Sequence, residues 1–354
     1  MSVFGKFVKL GCEPTTVTMT TLIKGFLNEG KIDLARECYE KLVEGGCKPN
    51  VVTFNTLLNG FCKTGNTSGA VQLLRNMEKN KSCQPNVVSY TTVIDGLCKD
   101  GLILDALDLY SKMNKRGIVP NVVTFNTLIH GLCTIGERKE AMRLFDGMVD
   151  RKVTPDVQTF SVLVDALCKE GMVVDARRMM ETMVRQGIQP NVVTYNSLMD
   201  GYCLRGDMDE AKKVLHMMCL KGCESNLHSY NILINGYCKN KRILEAVSLL
   251  EEMSSKGLVP DVVTYSSLIG GLCKVGRTRH AQDLLHEMQA GEILPDIQTY
   301  AVLLDGLCKN GQLEEAMVLF QDMTYKKLPV NIVIYTILIG AMCKAGDLEA
   351  AKDL

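Results

Sequence analysis

The sequence predicts an all-α fold, a solenoid of helix–turn–helix repeats 35 residues long. Three observations predict it. The first is a segment starting at Val51, VVTFNTLLNGFCKTGN, which returns at Val87 as VVSYTTVIDGLCKDG and at Val122 as VVTFNTLIHGLCTIGE. Further copies start at Val157, Val192, Leu227, Val262, Ile297 and Ile332, and an earlier one at Thr16. The second is apolar periodicity at helical spacing, present twice in every copy. The third is proline: all nine fall between the second apolar stripe of one copy and the first stripe of the next, where proline stops a helix and fixes a turn. One helix pair cannot bury both of its stripes, so neighbouring pairs must stack.

Every step is 35 residues except the second copy, which runs 36 because of an insertion around Lys81–Ser82. The expected units are the tail of a repeat at 1–15, then nine complete repeats at 16–50, 51–86, 87–121, 122–156, 157–191, 192–226, 227–261, 262–296 and 297–331, then a partial tenth at 332–354. Both ends fall inside a repeat and carry no polar cap, which reads as a fragment of a longer array.

With positions numbered from each start, 4, 7, 8 and 11 are apolar, as in Phe54, Leu57, Leu58 and Phe61. That spacing is one face of a first helix. Position 15 is usually glycine (Gly30, Gly65, Gly101, Gly136, Gly171, Gly206), suited to a helix C-terminus and turn. Positions 20, 23, 24 and 27, as in Ala141, Leu144, Phe145 and Met148, mark a second helix. Alanine holds position 20 in all ten copies, from Ala35 to Ala351, and so small a side chain lets two helix backbones approach closely.

Composition excludes several classes. The formal net charge is +0, from 40 basic and 40 acidic residues, so no bulk basic surface draws in a nucleic acid. Hydrophobic residues make up 46%, enough for a continuous core. No apolar run approaches the roughly 18 residues of a membrane span. The opening MSVFGKFVKLGCEP has the pattern of neither a signal peptide nor a transit peptide. Nine of the 15 cysteines occupy position 12, one per repeat from Cys62 to Cys343. Stacked repeats put them roughly 10 Å apart, beyond the about 7 Å a disulfide spans. With no CxxC pair or Cys/His cluster, they read as small buried thiols. Methionine at position 27, in eight of nine complete copies, reads as core. The five histidines show no ligand spacing. One aspartate per repeat at position 9 (Asp95, Asp165, Asp200, Asp305) cannot assemble a two-metal centre. No catalytic constellation, phosphate loop or cofactor site is legible, so a non-enzymatic protein without cofactor or metal is expected.

One stripe resists a core explanation. Positions 2, 5, 9 and 13 share a face of the first helix, offset from the apolar one. Position 5 is small in every copy and polar in nine of ten: Thr20, Asn55, Thr91, Asn126, Ser161, Asn196, Asn231, Ser266, Thr336, with Ala301 the exception. These polar types are poor interior helix formers. Position 35 is only Asn or Asp: Asn50, Asn86, Asn121, Asp156, Asn191, Asn226, Asp261, Asp296, Asn331. Capping of the next helix is one account of position 35, and a reading role together with position 5 is another. Position 13 is lysine in seven copies, Lys63, Lys99, Lys169, Lys239, Lys274, Lys309 and Lys344, either solvated or a row facing a polyanion backbone.

With these positions in place the chain closely resembles the pentatricopeptide repeat family, whose motif VVTYNTLIDGLCKxGxxxEAxxLFxxMxxxGxxPN runs through essentially all of residues 1–354. Uninterrupted 35-residue units look like its P class, and the GLCK and GYCK segments look like its plant fertility-restorer-like subgroup. The tetratricopeptide pattern is 34 residues long with a tryptophan, and this chain has no Trp. The resemblance implies a right-handed superhelical solenoid that binds single-stranded RNA, one base per repeat. It implies that positions 5 and 35 hydrogen-bond the base. It implies that position 2 of adjacent repeats sandwiches the base (Val17, Val52, Val88, Val123, Val193, Val263, Val333) and that the position-13 lysines approach phosphates. Gln158, His228 and Gln298 depart from valine at position 2. Carried over repeat by repeat, the implied target is 5′-ACAUACUG-any-purine, with Ala301–Asn331 discriminating poorly. The family also implies a mitochondrial or plastid location and a role in RNA processing, stabilisation or translation control. The reading that competes is a protein-interaction scaffold of the tetratricopeptide type.

Overall fold

The computed structural model describes residues 15–44, 46, 48–80, 83–326 and 328–354, so the tail at 1–14 and the insertion at Lys81–Ser82 lie outside the described residues. The described residues form twenty α-helices and no strand. Odd-numbered elements are first helices: α1 (Thr16–Asn28), α3 (Val51–Lys63), α5 (Val87–Lys99), α7 (Val122–Thr134), α9 (Val157–Lys169), α11 (Val192–Arg205), α13 (Leu227–Lys239), α15 (Val262–Lys274), α17 (Ile297–Lys309) and α19 (Ile332–Ala345). Even-numbered elements are second helices: α2 (Ile32–Glu44), α4 (Thr67–Lys79), α6 (Ile103–Lys115), α8 (Arg138–Asp150), α10 (Val173–Arg185), α12 (Met208–Leu220), α14 (Ile243–Ser255), α16 (Thr278–Ala290), α18 (Leu313–Tyr325) and α20 (Leu348–Asp353). The chain divides into two compact units, 1–166 and 167–354.

Turn chemistry sets where each helix stops. The position-15 glycines take φ between +72° and +83° (Gly30 and Gly346 are the extremes), a left-handed conformation that a Cβ disfavours. Lys241 fills that position with φ 61°, and Lys152 and Glu292 adopt φ 58° and 60° at the turn after the second helix.

The core is made of the two predicted stripes. Ala35, Ala70, Ala106, Ala141, Ala176, Ala211, Ala246, Ala281 and Ala316 are fully buried at position 20, and every position-27 residue from Leu42 to Met323 is buried. The aromatic ring at position 24 meets the ring at position 4 of the next copy: Tyr39–Phe54, Tyr110–Phe125, Phe145–Phe160 and Phe320–Tyr335, with centroids 5.6–5.9 Å apart. These edge-on or tilted pairs tie four of the second helices to the following first helix.

Consecutive first helices approach more closely than the sequence alone shows. A Cβ added at Gly96 would lie 2.6 Å from Cys62 Sγ, at Gly131 2.8 Å from Cys98 Sγ, at Gly236 2.7 Å from Cys203 Sγ, and at Gly306 2.3 Å from Cys273 Sγ. The cysteine at position 12 is thus a knob seated on the glycine at position 10 of the next repeat. Burial pushes the Cys98, Cys203 and Cys238 thiols up to about 12, so they stay protonated and act as packing groups. The expectation of buried thiols needs one correction. Cys168, Cys203, Cys238 and Cys273 are buried and Cys62, Cys98, Cys133 and Cys308 half-buried, but Cys343 in α19 is exposed, since among the described residues no position-10 glycine of another repeat covers it.

Candidate nucleic-acid interface

The site begins with the helix caps. Each position-35 side chain accepts, through Oδ1, the backbone N–H three residues on: Asn50 from Thr53, Asn86 from Ser89, Asn121 from Thr124, Asp156 from Thr159, Asn191 from Thr194, Asn226 from Ser229, Asp261 from Thr264, Asp296 from Thr299 and Asn331 from Ile334, at 2.7–3.3 Å. Capping of the first helices is therefore real. It does not by itself account for the residue choice, since Leu102, Glu137, Met172, Asp207, Arg242, Arg277 and Gln312 open second helices with no side-chain cap. The cap also fixes chemistry. With Oδ1 consumed, an asparagine has its –NH2 left to offer and an aspartate its Oδ2.

Position 5 lies low in the cleft between successive first helices. Thr91, Asn126, Ser161, Asn196 and Asn231 are only 5–8% exposed. Thr20, Asn55 and Ser266 are half-buried, and Thr336 is exposed. In two copies positions 5 and 35 bond each other: Asn126 Nδ2 donates to Asp156 Oδ1 and Asn231 Nδ2 to Asp261 Oδ1, both at 3.0 Å. Burial alone would raise these carboxyls. The Thr159 and Thr264 N–H groups, the asparagine amides and the neighbouring hydroxyls outweigh it and hold Asp156 and Asp261 below their ordinary value, so both carboxylates are ionised at neutral pH.

A third position joins them, and the sequence reading passed over it. The Ser or Thr at position 3 of the next repeat is fully buried in Thr53, Ser89, Thr124, Thr159, Thr194, Ser229, Thr264 and Thr299. Its hydroxyl reaches back to position 5: Ser89 donates to Asn55 Oδ1 at 2.6 Å, Thr159 to Asn126 Oδ1 at 2.6 Å, Ser229 to Asn196 Oδ1 at 2.7 Å and Thr264 to Asn231 Oδ1 at 2.6 Å. Hydroxyl pairs Thr20–Thr53, Thr91–Thr124 and Ser266–Thr299 close at 2.8–2.9 Å. The one signal in the sequence was a near-constant hydroxyl in the helical first turn, which reads as motif or cap.

The valines of position 2 form exposed walls, from 49% at Val333 to 73% at Val17, and Gln158, His228 and Gln298 are exposed in the same register. All seven position-13 lysines are exposed. Lys99 and Lys309 make 2.6 Å ion pairs with Asp95 and Asp305 one turn back, exposed contacts that cost little to break. The rows converge in clefts. A cleft of about 700 Å³ is walled by Val263 and Gln298, with Ser266 and Asp296 inside and Lys274 and Lys309 at its border. Another of about 500 Å³ lies between Val52 and Val88, with Asn55 inside and Lys63 beside it. Each is bounded by position 2 of two consecutive repeats and holds position 5 of the first. Among the described residues no group of three or more His, Cys, Asp or Glu could hold a metal, and no helix is long and apolar enough to cross a membrane.

Helix pairs stacked one repeat on the next, with apolar-walled clefts between consecutive first helices, define an α-solenoid repeat protein. The chain matches the PPR repeat family at 14–63, 49–99, 85–134, 120–169, 163–204, 190–239, 226–274, 260–309 and 302–344, and it belongs to that family. Among solved structures it is similar to the pentatricopeptide repeat protein PPR10 in complex with an 18-nt psaJ RNA element. The TM-score is 0.63 at 22% identity, covering 96% of this chain and 54% of that one. A crystal structure of PPR10 from maize gives a TM-score of 0.45 at 22% identity, covering 99% of this chain and 69% of that one. The chain thus spans about half the length of the RNA-bound structure it matches, and at this identity the likeness establishes the fold. No curated protein matches the chain.

Proposed function

We propose that this chain binds single-stranded RNA in a sequence-specific manner, reading one base per repeat through positions 5 and 35, without chemistry of its own. The observation that carries the proposal is the atom left over at position 35 after capping. Asn86, with its Oδ1 on the Ser89 N–H, offers a donor. Asp156, with Oδ1 on the Thr159 N–H, offers an acceptor. The central Watson–Crick nitrogen of A and C is an acceptor, and that of G and U carries a proton. Asparagine at position 35 therefore suits A or C, and aspartate suits G or U. Position 5 adds the second division. The longer Asn takes up more of the cleft and favours a pyrimidine, whereas Ser or Thr leaves room for a purine. The position-2 side chains on either side supply stacking, weaker at valine than the about 1–3 kcal/mol per base of aromatic platforms. The position-13 lysines face the phosphates, so affinity falls with salt. The RNA-bound PPR10 structure, which shares the fold, supports the ligand class.

On this reading the target is 5′-ACAUACUG-any-purine, bound with the chain's N-terminal repeat at the 5′ end, and the protein acts on organellar transcripts by occupying RNA or recruiting other factors. A gel shift with this 10-mer, a scrambled RNA and the DNA equivalent tests it. Preference for the 10-mer is expected, and equal affinity for all three overturns the proposal in favour of a protein-interaction scaffold. A sharper test combines Asn126→Thr with Asp156→Asn. Preference at the fourth base is expected to move from U to A.

A further inference from the structure

The hydroxyl at position 3 has two partners, and they make different demands. On its own helix it completes the cap: the Asn86 backbone N–H donates to Ser89 Oγ at 3.2 Å and the Asn226 N–H to Ser229 Oγ at 3.3 Å. Accepting in this way leaves the hydroxyl proton to be donated. The closest acceptor for Ser89 is not the cap residue but one on the preceding first helix: Asn55 Oδ1 lies at 2.6 Å, against 3.1 Å for Asn86 Oδ1. For Ser229 the distances are 2.7 Å to Asn196 Oδ1 and 3.0 Å to Asn226 Oδ1. A carboxamide with its oxygen tied down can present only its –NH2 elsewhere. The cap does not need the hydroxyl. Asn331 still caps the Ile334 N–H at 3.3 Å, with an isoleucine at position 3. That isoleucine occurs in register with Ala301, the one position 5 with no polar atom to hold.

We propose that the position-3 hydroxyl is a positioning residue for base selection, orienting the position-5 asparagine of the preceding repeat so that its amide presents a donor to the base. The unit of recognition is then three residues from two repeats, and it rests on the RNA-reading function proposed above. The asparagines differ in how firmly they are held. Asn126 and Asn231 are held twice, since Asp156 and Asp261 accept their Nδ2 and an acceptor-only carboxylate rejects the flipped amide. Beside Asn55 and Asn196, position 35 is Asn86 and Asn226, without that charge, so the hydroxyl decides alone.

The experiment measures the affinity of the full chain for synthetic 5′-ACAUACUGAA and for versions with each base substituted at the second, fourth and sixth positions. Ser89→Ala is expected to reduce the pyrimidine preference at the second base, and Ser229→Ala that at the sixth, by about fivefold, equivalent to about 1 kcal/mol. The other bases should be unaffected. Thr159→Val is expected to leave the preference at the fourth base within about twofold, because Asp156 still holds Asn126; a shift of this size is under half a kcal/mol. Ser89→Thr restores the hydroxyl and should restore selectivity. A uniform loss at every base, or equal loss of selectivity in Ser89→Ala and Thr159→Val, would mark a structural role and overturn the proposal. So would unchanged selectivity in both alanine variants. A parent chain indifferent to base identity overturns the RNA reading itself, and the positioning role with it.

Discussion

Replacing Gly306 by alanine tests the packing that sets the spacing of the clefts. The new Cβ would lie 2.3 Å from Cys273 Sγ, 2.4 Å from its Cβ and 3.7 Å from its Cα. Apolar atoms sit comfortably at about 3.5–4.0 Å, so the overlap exceeds an ångström. Rotating the thiol relieves only part of it, because the Cys273 Cβ is itself too close. The helices α15 and α17 must move apart. Overpacking of this kind costs about 1–3 kcal/mol. The better helix propensity of alanine returns about 1 kcal/mol, which leaves a net loss of up to about 2 kcal/mol. Copy five bounds the cost, since Ala166 occupies the equivalent position in a folded repeat. Gly147→Ala is the control: its Cβ meets nothing within 4 Å, and it should stabilise by up to about 1 kcal/mol. Urea unfolding followed by circular dichroism gives the global change. Hydrogen exchange should place the loss in the eighth and ninth repeats, because a solenoid distributes stability between nearest neighbours. Exchanging knob and hole, Cys273→Gly with Gly306→Ala, should recover part of the loss as a coupling of about 0.5–3 kcal/mol. A Gly306→Ala chain as stable as Gly147→Ala, or a double variant that merely adds the two losses, refutes the close-approach argument.

Lys241→Gly removes a side chain from a left-handed position, φ 61°, and should stabilise by about 1 kcal/mol; an unchanged or lower urea midpoint counts against strain there. Asp156 and Asp261 are depressed below the ordinary aspartate value of 3.8. A carboxyl with a lowered folded pKa gives stability that is present above the unfolded value and lost as pH falls through the folded one. Stability and the proposed U preference at the fourth and seventh bases should thus hold from neutral pH to about pH 5 and decline only in stronger acid. Asp156→Asn should flatten its share of that acid limb, and an unaltered limb in urea titrations at several pH values would contradict the assignment.

The sequence carried the helices and their order without help. Positions 4, 7, 8, 11, 20 and 27 repeat so regularly that burial follows from period alone, and glycine and proline mark most turns. The family and the candidate reading row were legible for a related reason. Core positions hold one residue type, while positions 5 and 35 vary within a narrow polar set, as in Asn126–Asp156 against Thr91–Asn121.

Two features were hidden because each is a relation between repeats. An interior helical glycine at Gly306 looks like a cost to α17, and only stacking shows that Cys273 fills the space its missing Cβ leaves. The hydroxyl of Thr159 looks like a cap on α9, and only stacking brings it within 2.6 Å of Asn126, thirty-three residues earlier in the chain. Local periodicity determines which face of each helix is buried, because it depends on residues three and four apart. The partner of a buried polar atom depends on how closely one repeat lies on the next, and that distance is set by packing.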